Sequence, residues 1–209
     1  MSKGFNTQKN FGFSLVELLV VIAIAGIIIG VIFSDLPGFD ENEKLLITSQ
    51  EMGIVMREAQ VFGIAVRGEE TGTEETGTNF FPLRYGVYYD TNINANEINL
   101  FADTFPASVG NSIYDAGNDY LNRTYTVETP IEINKFCVSD TGAPADEACS
   151  DVVSLTNVTI LFNRPNPEPT INSDLGVDSQ YVRFELTSSE SKIDVYVWKS
   201  GQISVISQP

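Results

Sequence analysis

The chain has 209 residues, of which 43% are hydrophobic and 19% are charged, a composition typical of a folded domain with additional segments rather than of a disordered chain. Its formal net charge of −16 excludes a nucleic-acid-binding role, because so acidic a surface repels phosphate backbones. The chain has no histidine, so the commonest general base near neutral pH is missing and we expect no enzyme. Two carboxylates at a suitable separation could still hydrolyse a glycoside, but the sequence does not locate such a pair.

The N-terminal segment combines a polar, basic start with a long apolar run. Residues 1–12 carry Lys3 and Lys9, and Glu17 is the only charged residue in the run 13–33. A helix over this run would be roughly 31 Å long, enough to cross a bilayer core of about 30 Å. Because lysines precede the run and acidic residues follow it, we expect the N-terminus in the cytoplasm and the remaining chain outside.

Two simpler interpretations fit this segment less well. A secretory signal peptide has a shorter apolar stretch followed by a small-residue cleavage site, whereas here the small residue Gly12 precedes the stretch. An uncleaved signal anchor remains open, yet it gives no reason for Glu17, since a carboxylate in hydrocarbon is costly and usually marks function. A third possibility for Glu17 is a carboxylate that reaches the headgroup level.

The string GFSLVELLVVIAI, residues 12–24, resembles the prepilin signature of type IV pilins and type II secretion pseudopilins. The resemblance implies that a membrane peptidase cleaves between Gly12 and Phe13 and methylates Phe13. It implies that Glu17 pairs with the terminal amine of a neighbouring subunit, which would give a carboxylate in an apolar helix bundle the cation that it needs.

The same resemblance implies partners and a location. The partners would be other pilin or pseudopilin subunits, the prepilin peptidase, an inner-membrane assembly platform and the membrane itself, with no nucleic acid. The chain would first cross the cytoplasmic membrane once, with a cytoplasmic N-terminus. It would then enter a pilus or another extracytoplasmic filament at the cell surface.

The chain divides into five predicted segments. A leader of residues 1–12 precedes a transmembrane and assembly helix over 13–34, and Pro37 with Gly38 predicts a break after it. An amphipathic docking helix follows over 39–67, with Asp40 as its cap, and then an acidic flexible loop over 68–79 that contains two copies of EETGT. Residues 80–209 form a β-rich head.

Apolar residues recur at helical spacing along the docking helix, which predicts one face buried against a sheet. This stripe consists of Leu45, Met52, Met56, Ala59, Phe62 and Val66, flanked by Ile54, Val55 and Val61.

The head has the residue pattern of an antiparallel sheet. Short connections predict that its last three strands form a meander, while Pro165, Pro167 and Pro169 predict an extended connection rather than a central strand. The fold class is therefore α+β, with a pilin-like long helix followed by a mainly antiparallel head, and the element order is similar to that of H-type minor pseudopilins. The predicted strands are 83–89, 97–101, 124–127, 131–138, 152–162, 181–187, 192–199 and 203–206.

Two further features concern covalent and metal chemistry. Cys137 and Cys149 can form a disulfide outside the cytoplasm, worth roughly 3 kcal/mol for so short a loop, or remain free thiols. Too few cysteine and histidine ligands are present for a zinc site. Some pseudopilins hold calcium in a head loop, and Asp103, Asp115 and Asp119 are candidate oxygen ligands here, although such a composition is also usual in turns.

These observations favour a structural subunit, a minor pilin or pseudopilin of a type IV pilus or a type II secretion-like filament, matured by cleavage after Gly12. The alternative is a surface binding domain that is held by an uncleaved signal anchor and does not polymerise.

Overall fold

Two helices open the described part of the chain, which comprises residues 14–34, 36–65, 69–70, 79–80, 84–105 and 110–208 of a computed structural model. Helix α1 spans Leu15–Ser34, and helix α2 spans Leu36–Ile64. The chain divides into two units, Met1–Asp40 and Glu41–Pro209, and we call the second unit the head. Among the described residues, no helix combines the length and the apolar character needed to cross a membrane.

The start of α2 differs from the prediction. We expected a helix restart at Asp40 after a break at Pro37 and Gly38, but the second helix already begins at Leu36. Pro37 therefore occupies the first turn, where its missing N–H is not needed and its fixed φ suits a helix. The capping role predicted for Asp40 is wrong, because this residue lies inside the helix.

Helix α2 contributes one apolar face to the core of the head. Leu45, Met52, Met56 and Ala59 are fully buried, as the stripe predicted. Phe62 is partly buried and makes an edge contact with Tyr85, and Val66 lies outside the described residues. The opposite face remains at the surface, which makes α2 a helix with one docked side.

The close approach of α2 to the sheet depends on Gly63. A Cβ atom at this position would collide with the backbone and Cβ of Phe162, so only glycine fits there. The contact fixes how α2 is rotated about its own axis and therefore which of its residues face outward.

The described residues of the head form two antiparallel sheets and one short antiparallel pair. The six-stranded sheet has the order β10-β9-β8-β3-β4-β5, the five-stranded sheet has the order β13-β12-β11-β6-β7, and β1 pairs with β2. A short 3₁₀ helix, Pro144–Asp146, lies between β6 and β7. The strands are β1 Glu69–Glu70, β2 Asn79–Phe80, β3 Arg84–Asp90, β4 Glu97–Asp103, β5 Tyr120–Thr126, β6 Glu132–Ser139, β7 Ala148–Cys149, β8 Asn157–Asn163, β9 Asn166–Ser173, β10 Gly176–Val177, β11 Tyr181–Thr187, β12 Lys192–Trp198 and β13 Ile203–Ser207.

One hydrophobic core joins α2 to both sheets. Tyr89 of β3 makes edge-to-face contacts with Phe136 of β6 and Phe184 of β11, so its ring connects the two sheets. All three side chains belong to the same buried cluster as the inner face of α2. The arrangement confirms the predicted α+β class, and β11, β12 and β13 form the predicted meander.

The proline-rich segment differs from the prediction. Residues 166–173 form β9 rather than a connection, and Pro169 pairs with Phe162 of β8. On its other side β9 pairs with β10 only at Asn172 and Ser173. Pro167 and Pro169 therefore occupy a stretch with a strand on one side only, where a missing N–H leaves no ladder bond unmade.

Smaller differences concern strand ends and short strands. Strand β5 begins at Tyr120 rather than at residue 124, and β8 begins at Asn157 rather than at 152. The two-residue strands β7 and β10 have too little alternation to be recognised in a sequence. Glu69–Glu70, inside the segment 68–79 predicted as a loop, pair with Asn79–Phe80 at its end, and residues 71–78 lie outside the described ones.

The docked face of α2 gives a stability prediction. Met52→Ala removes a fully buried side chain and should lower the free energy of unfolding by about 2–5 kcal/mol, because the cavity adds to the lost burial. Ile54→Ala is the matched control, since Ile54 lies on the same helix and is 57% exposed, and it should change stability by about 0.5 kcal/mol or less. Denaturant unfolding of the full chain in detergent micelles measures both, and equal losses would contradict the docking face.

Candidate functional site

The described chain begins with a capped helix that carries one acid. The Oγ of Ser14 accepts a hydrogen bond from the Val16 N–H at 3.3 Å, and its carbonyl accepts one from the Leu18 N–H at 3.2 Å. Ser14 is thus the N-cap of α1, and Glu17 lies in the first turn, where the helix dipole favours a negative charge. Gly12 and Phe13, the predicted cleavage residues, lie outside the described residues.

The side chains of α1 are apolar and exposed. Every described side chain from Ser14 to Val31 is exposed, and the large apolar ones retain between 47% and 79% of their accessible surface. Soluble proteins rarely leave so continuous an apolar surface in water, and such a surface marks a membrane or protein contact. The exposed side chains of α1 would therefore be more stable in an apolar environment than in water.

A second charged arrangement lies in the head, on the face of the five-stranded sheet that points away from the core. Arg183 of β11 is 8% exposed. Its guanidinium donates to Glu147 at 3.0 Å from Nε and at 2.5 Å from Nη2, and to Asp194 of β12 at 3.1 Å from Nη1. Tyr181 also donates its hydroxyl to Glu147, at 2.8 Å. We call Arg183, Glu147 and Asp194 the Arg183 cluster.

The neighbouring acid on β11 has its own partners. Glu185 is 4% exposed and accepts hydrogen bonds from Lys192 at 2.9 Å and from Asn134 at 2.7 Å. No buried side-chain nitrogen or oxygen among the described residues lacks a hydrogen-bond partner. Each buried charge on this face is therefore compensated, as burial of an ion requires.

These contacts change the pKa values of both acids in the same direction. Burial alone would raise the pKa of Glu147, but the hydrogen bonds from Arg183 and Tyr181 outweigh it and lower that pKa. Burial alone would also raise the pKa of Glu185. The hydrogen bonds from Lys192 and Asn134 outweigh this effect, so the pKa of Glu185 is lowered. Acids with a lowered pKa in the folded state stabilise it above their unfolded pKa, and this stability is lost as the pH falls.

A disulfide ties the Arg183 cluster to the sheet. Cys137 of β6 and Cys149 of β7 are bonded, and the two residues are direct partners in the strand register. Glu147 lies two residues before Cys149, and Nη2 of Arg183 is 3.2 Å from the Cys137 sulfur. The free-thiol alternative does not occur here, and the bond holds the segment that carries Glu147 beside the guanidinium.

The predicted calcium ligands have a different role. Asp103 is fully buried, and its carboxylate accepts the N–H groups of Asn111 at 3.1 Å and Ser112 at 2.9 Å. Asp119 accepts the N–H groups of Thr104 at 2.8 Å and Phe105 at 3.0 Å. Both carboxylates therefore accept hydrogen bonds from the backbone of a loop.

Further hydrogen bonds connect these acids within the loop. Asp119 also accepts the N–H of Asp115 at 2.8 Å, and Asp115 accepts the amide of Asn111 at 2.6 Å. Gly110 has φ +74°, and a Cβ there would overlap the Asp103 carboxylate. Burial raises the pKa of Asp103, although the two N–H groups and Arg84 act against the increase.

Potential metal ligands come together elsewhere in the described part of the chain. The ligand atoms of Cys137, Glu147 and Cys149 lie within 4.8 Å of one another. Both sulfurs of this group are already joined in the disulfide, and Glu147 is held by Arg183. In this structure the group links β6, β7 and Arg183 of β11 through a disulfide and an ion pair.

Helix α1 has Ser14 as its N-cap and Glu17 in its first turn, and most of it falls in a segment that matches a family model. Residues 7–33 match the family model of the prokaryotic N-terminal methylation motif. This match confirms the resemblance to the type IV pilin and pseudopilin signature, whose precursors are processed by prepilin peptidase. Comparison with curated proteins and with solved structures gave no match.

The Arg183 cluster gives a pH prediction. Glu147→Gln leaves Arg183 with one acidic hydrogen-bond partner fewer and should cost about 3 kcal/mol of stability at neutral pH, as for a broken buried ion pair. Because the pKa of Glu147 is lowered on folding, wild-type stability should fall as the pH drops below the ordinary value of 4.5, and the variant should show a shallower fall. Unfolding of the full chain at pH 7, 5 and 3 measures both effects.

The exposed Glu190 provides the matched control for this experiment. Glu190→Gln makes the same chemical change away from the Arg183 cluster and should leave stability at neutral pH nearly unchanged. An acid dependence identical in the wild type and in Glu147→Gln would show that Glu147 contributes nothing to it.

The loop acids give a second prediction. Asp103→Asn replaces one acceptor oxygen with an NH₂ group that faces two backbone N–H groups, so stability should fall by about 1–3 kcal/mol. Because the carboxylates are acceptors for the loop, neither calcium nor a chelator should move the wild-type melting temperature. Differential scanning calorimetry measures this, and a lower melting temperature after chelation would restore the calcium interpretation.

Proposed function

We propose that the chain is a minor subunit of a type IV pilus or of a type II secretion-like filament, matured by prepilin peptidase cleavage after Gly12. The observation that carries the proposal is the N-terminal methylation motif on a helix whose described side chains are exposed and apolar apart from Ser14 and Glu17. A helix with this coat is stable only where lipid or other helices surround it.

Before assembly, the apolar run 13–33 would hold the chain in the cytoplasmic membrane, with the head outside. The support is the sequence itself, since lysines precede the run and acids follow it. The disulfide in the head agrees with this placement, because such bonds persist outside the reducing cytoplasm.

During assembly, cleavage would create a positively charged amine four residues before Glu17. Among helices packed in a filament, that amine can reach the Glu17 carboxylate of a neighbouring chain and neutralise it. Charge neutralisation would favour addition of a subunit at the correct axial position, since a carboxylate left alone in an apolar interior is costly. Cleavage also removes Lys3 and Lys9, which could not enter that interior.

The head supports a minor rather than a major role. Its disulfide joins the neighbouring strands β6 and β7, and β8 to β13 follow without a further covalent tie. Many major pilins instead enclose a C-terminal segment with their cysteine pair. The other candidate function, a non-polymerising anchored binding domain, is favoured by no observation on α1, because it leaves Glu17 without a partner.

The first test is the mass of the mature chain. Purified from its native membranes, the protein should begin at a methylated Phe13 and lack the twelve-residue leader. A chain that still begins at Met1 or Ser2 would favour the anchored domain.

The second test concerns the carboxylate. Glu17→Val should insert into membranes normally but enter sheared filaments at least tenfold less than the wild type, because the neighbour's amine is left unpaired at a cost of several kcal/mol. Leu18→Val is the matched control, since it alters the adjacent side chain without touching the charge, and it should assemble. Quantitative blotting of membrane and filament fractions measures both, and normal assembly of the valine variant at position 17 would refute the pairing.

A further inference from the structure

A cavity of about 630 Å³ lies on the outer face of the six-stranded sheet. Its floor is formed by β8 and β9, where Thr159 and Asn172 are direct partners in the strand register and Thr170 is the neighbouring residue on the same face of β9. These side chains alternate with the core residues Ile160 and Ile171, so they point away from the core. Residues 111–113 form one wall, and the β9–β10 turn with Asp178 forms the other.

The walls of this cavity are held in place by hydrogen bonds. Asn172 donates its amide to the Ser112 carbonyl at 3.0 Å and accepts the Asp178 N–H at 3.2 Å, so one side chain connects both walls to the floor. The buried Asp103 carboxylate holds the Ser112 N–H from behind. Because the shape exists without a ligand, little ordering entropy remains to be lost on binding.

The chemistry of the lining excludes most ligand classes. None of the described lining residues is cationic, and Asp174 and Asp178 contribute negative charge, so an anionic ligand is disfavoured. Ile113 is the one apolar side chain among them, too little for a lipid or a large aromatic ligand.

The two acids of the lining are already occupied. Asp174 accepts N–H groups from Thr156 and Asn157, and Asp178 pairs with Lys199. They are therefore not free to collect a cation. What remains available to a ligand is a set of neutral hydroxyl and amide groups, notably the exposed hydroxyl of Thr170, which both donates and accepts hydrogen bonds, whereas Thr159 is buried in the floor.

We propose that this cavity binds a neutral saccharide. Sugar hydroxyls are themselves donors and acceptors, so they match hydroxyl and amide side chains, and the C–H face of one ring can lie on Ile113. The inference rests on the head alone and stands whether or not the chain polymerises.

The test uses the full chain in phosphocholine micelles, which contain no sugar, and saturation-transfer NMR with a panel of neutral hexoses, N-acetylhexosamines and their disaccharides. At least one member should receive saturation from the wild type. Thr170→Trp fills the cavity from an exposed position and should abolish the transfer. Thr170→Val removes only the hydroxyl and should weaken binding about fivefold, as for one lost hydrogen bond.

Thr126→Trp is the matched control, because Thr126 is an exposed strand residue of the same sheet that does not line the cavity, and it should retain the transfer. If Thr170→Trp loses its near-ultraviolet circular dichroism, the decision rests on the isosteric Thr170→Val. Transfer of equal strength to the wild type and to both Thr170 variants, or no transfer to any sugar of the panel, would overturn the proposal.

Discussion

The inner face of α2 packs against both sheets in one buried cluster, and this packing determines which side of α2 faces outward. Met52 and Met56 belong to the same buried cluster as Tyr89, Phe136 and Phe184, so the helix cannot turn this face toward any other partner. The close contact between Gly63 and Phe162 further restricts how α2 can be oriented on the sheet. The described side chains of α1 are exposed and largely apolar, and a continuous apolar surface of this kind marks a membrane or protein contact.

Local patterns in the sequence were sufficient to predict the fold class of the head and some of its elements, but not its division into two sheets. The spacing of Leu45, Met52 and Met56 predicted the docked face, and the short connections between β11, β12 and β13 predicted the meander. Patterns were insufficient where neighbours decide the outcome. Prolines normally argue against a strand, but β9 tolerates them because β10 is too short to require their missing N–H groups.

The chemistry of the side chains was less predictable than the fold. The prepilin signature was visible because its residues are contiguous, whereas Arg183, Glu147 and Asp194 come from three distant positions that meet only in the folded sheet. Arg183 alternates in β11 with the core residues Val182 and Phe184, so it points away from the core, yet nothing local in the sequence indicates that it is buried. Asp103 and Asp119 lie in a segment whose composition suits a calcium site and a turn equally. That their carboxylates accept backbone N–H groups of a loop is visible only in the structure.

The Cys137–Cys149 bond also affects the ion pair between Glu147 and Arg183. Without the bond, the segment that carries Glu147 would have more conformational freedom in the unfolded chain. Placing Glu147 beside the guanidinium would then cost the loop-closure entropy that the bond otherwise removes, roughly 3 kcal/mol. The bond therefore keeps the counter-ion of Arg183 in place in addition to linking two strands. The electrostatic balance of the outer sheet face thus depends on the redox state of two cysteines that carry no charge themselves.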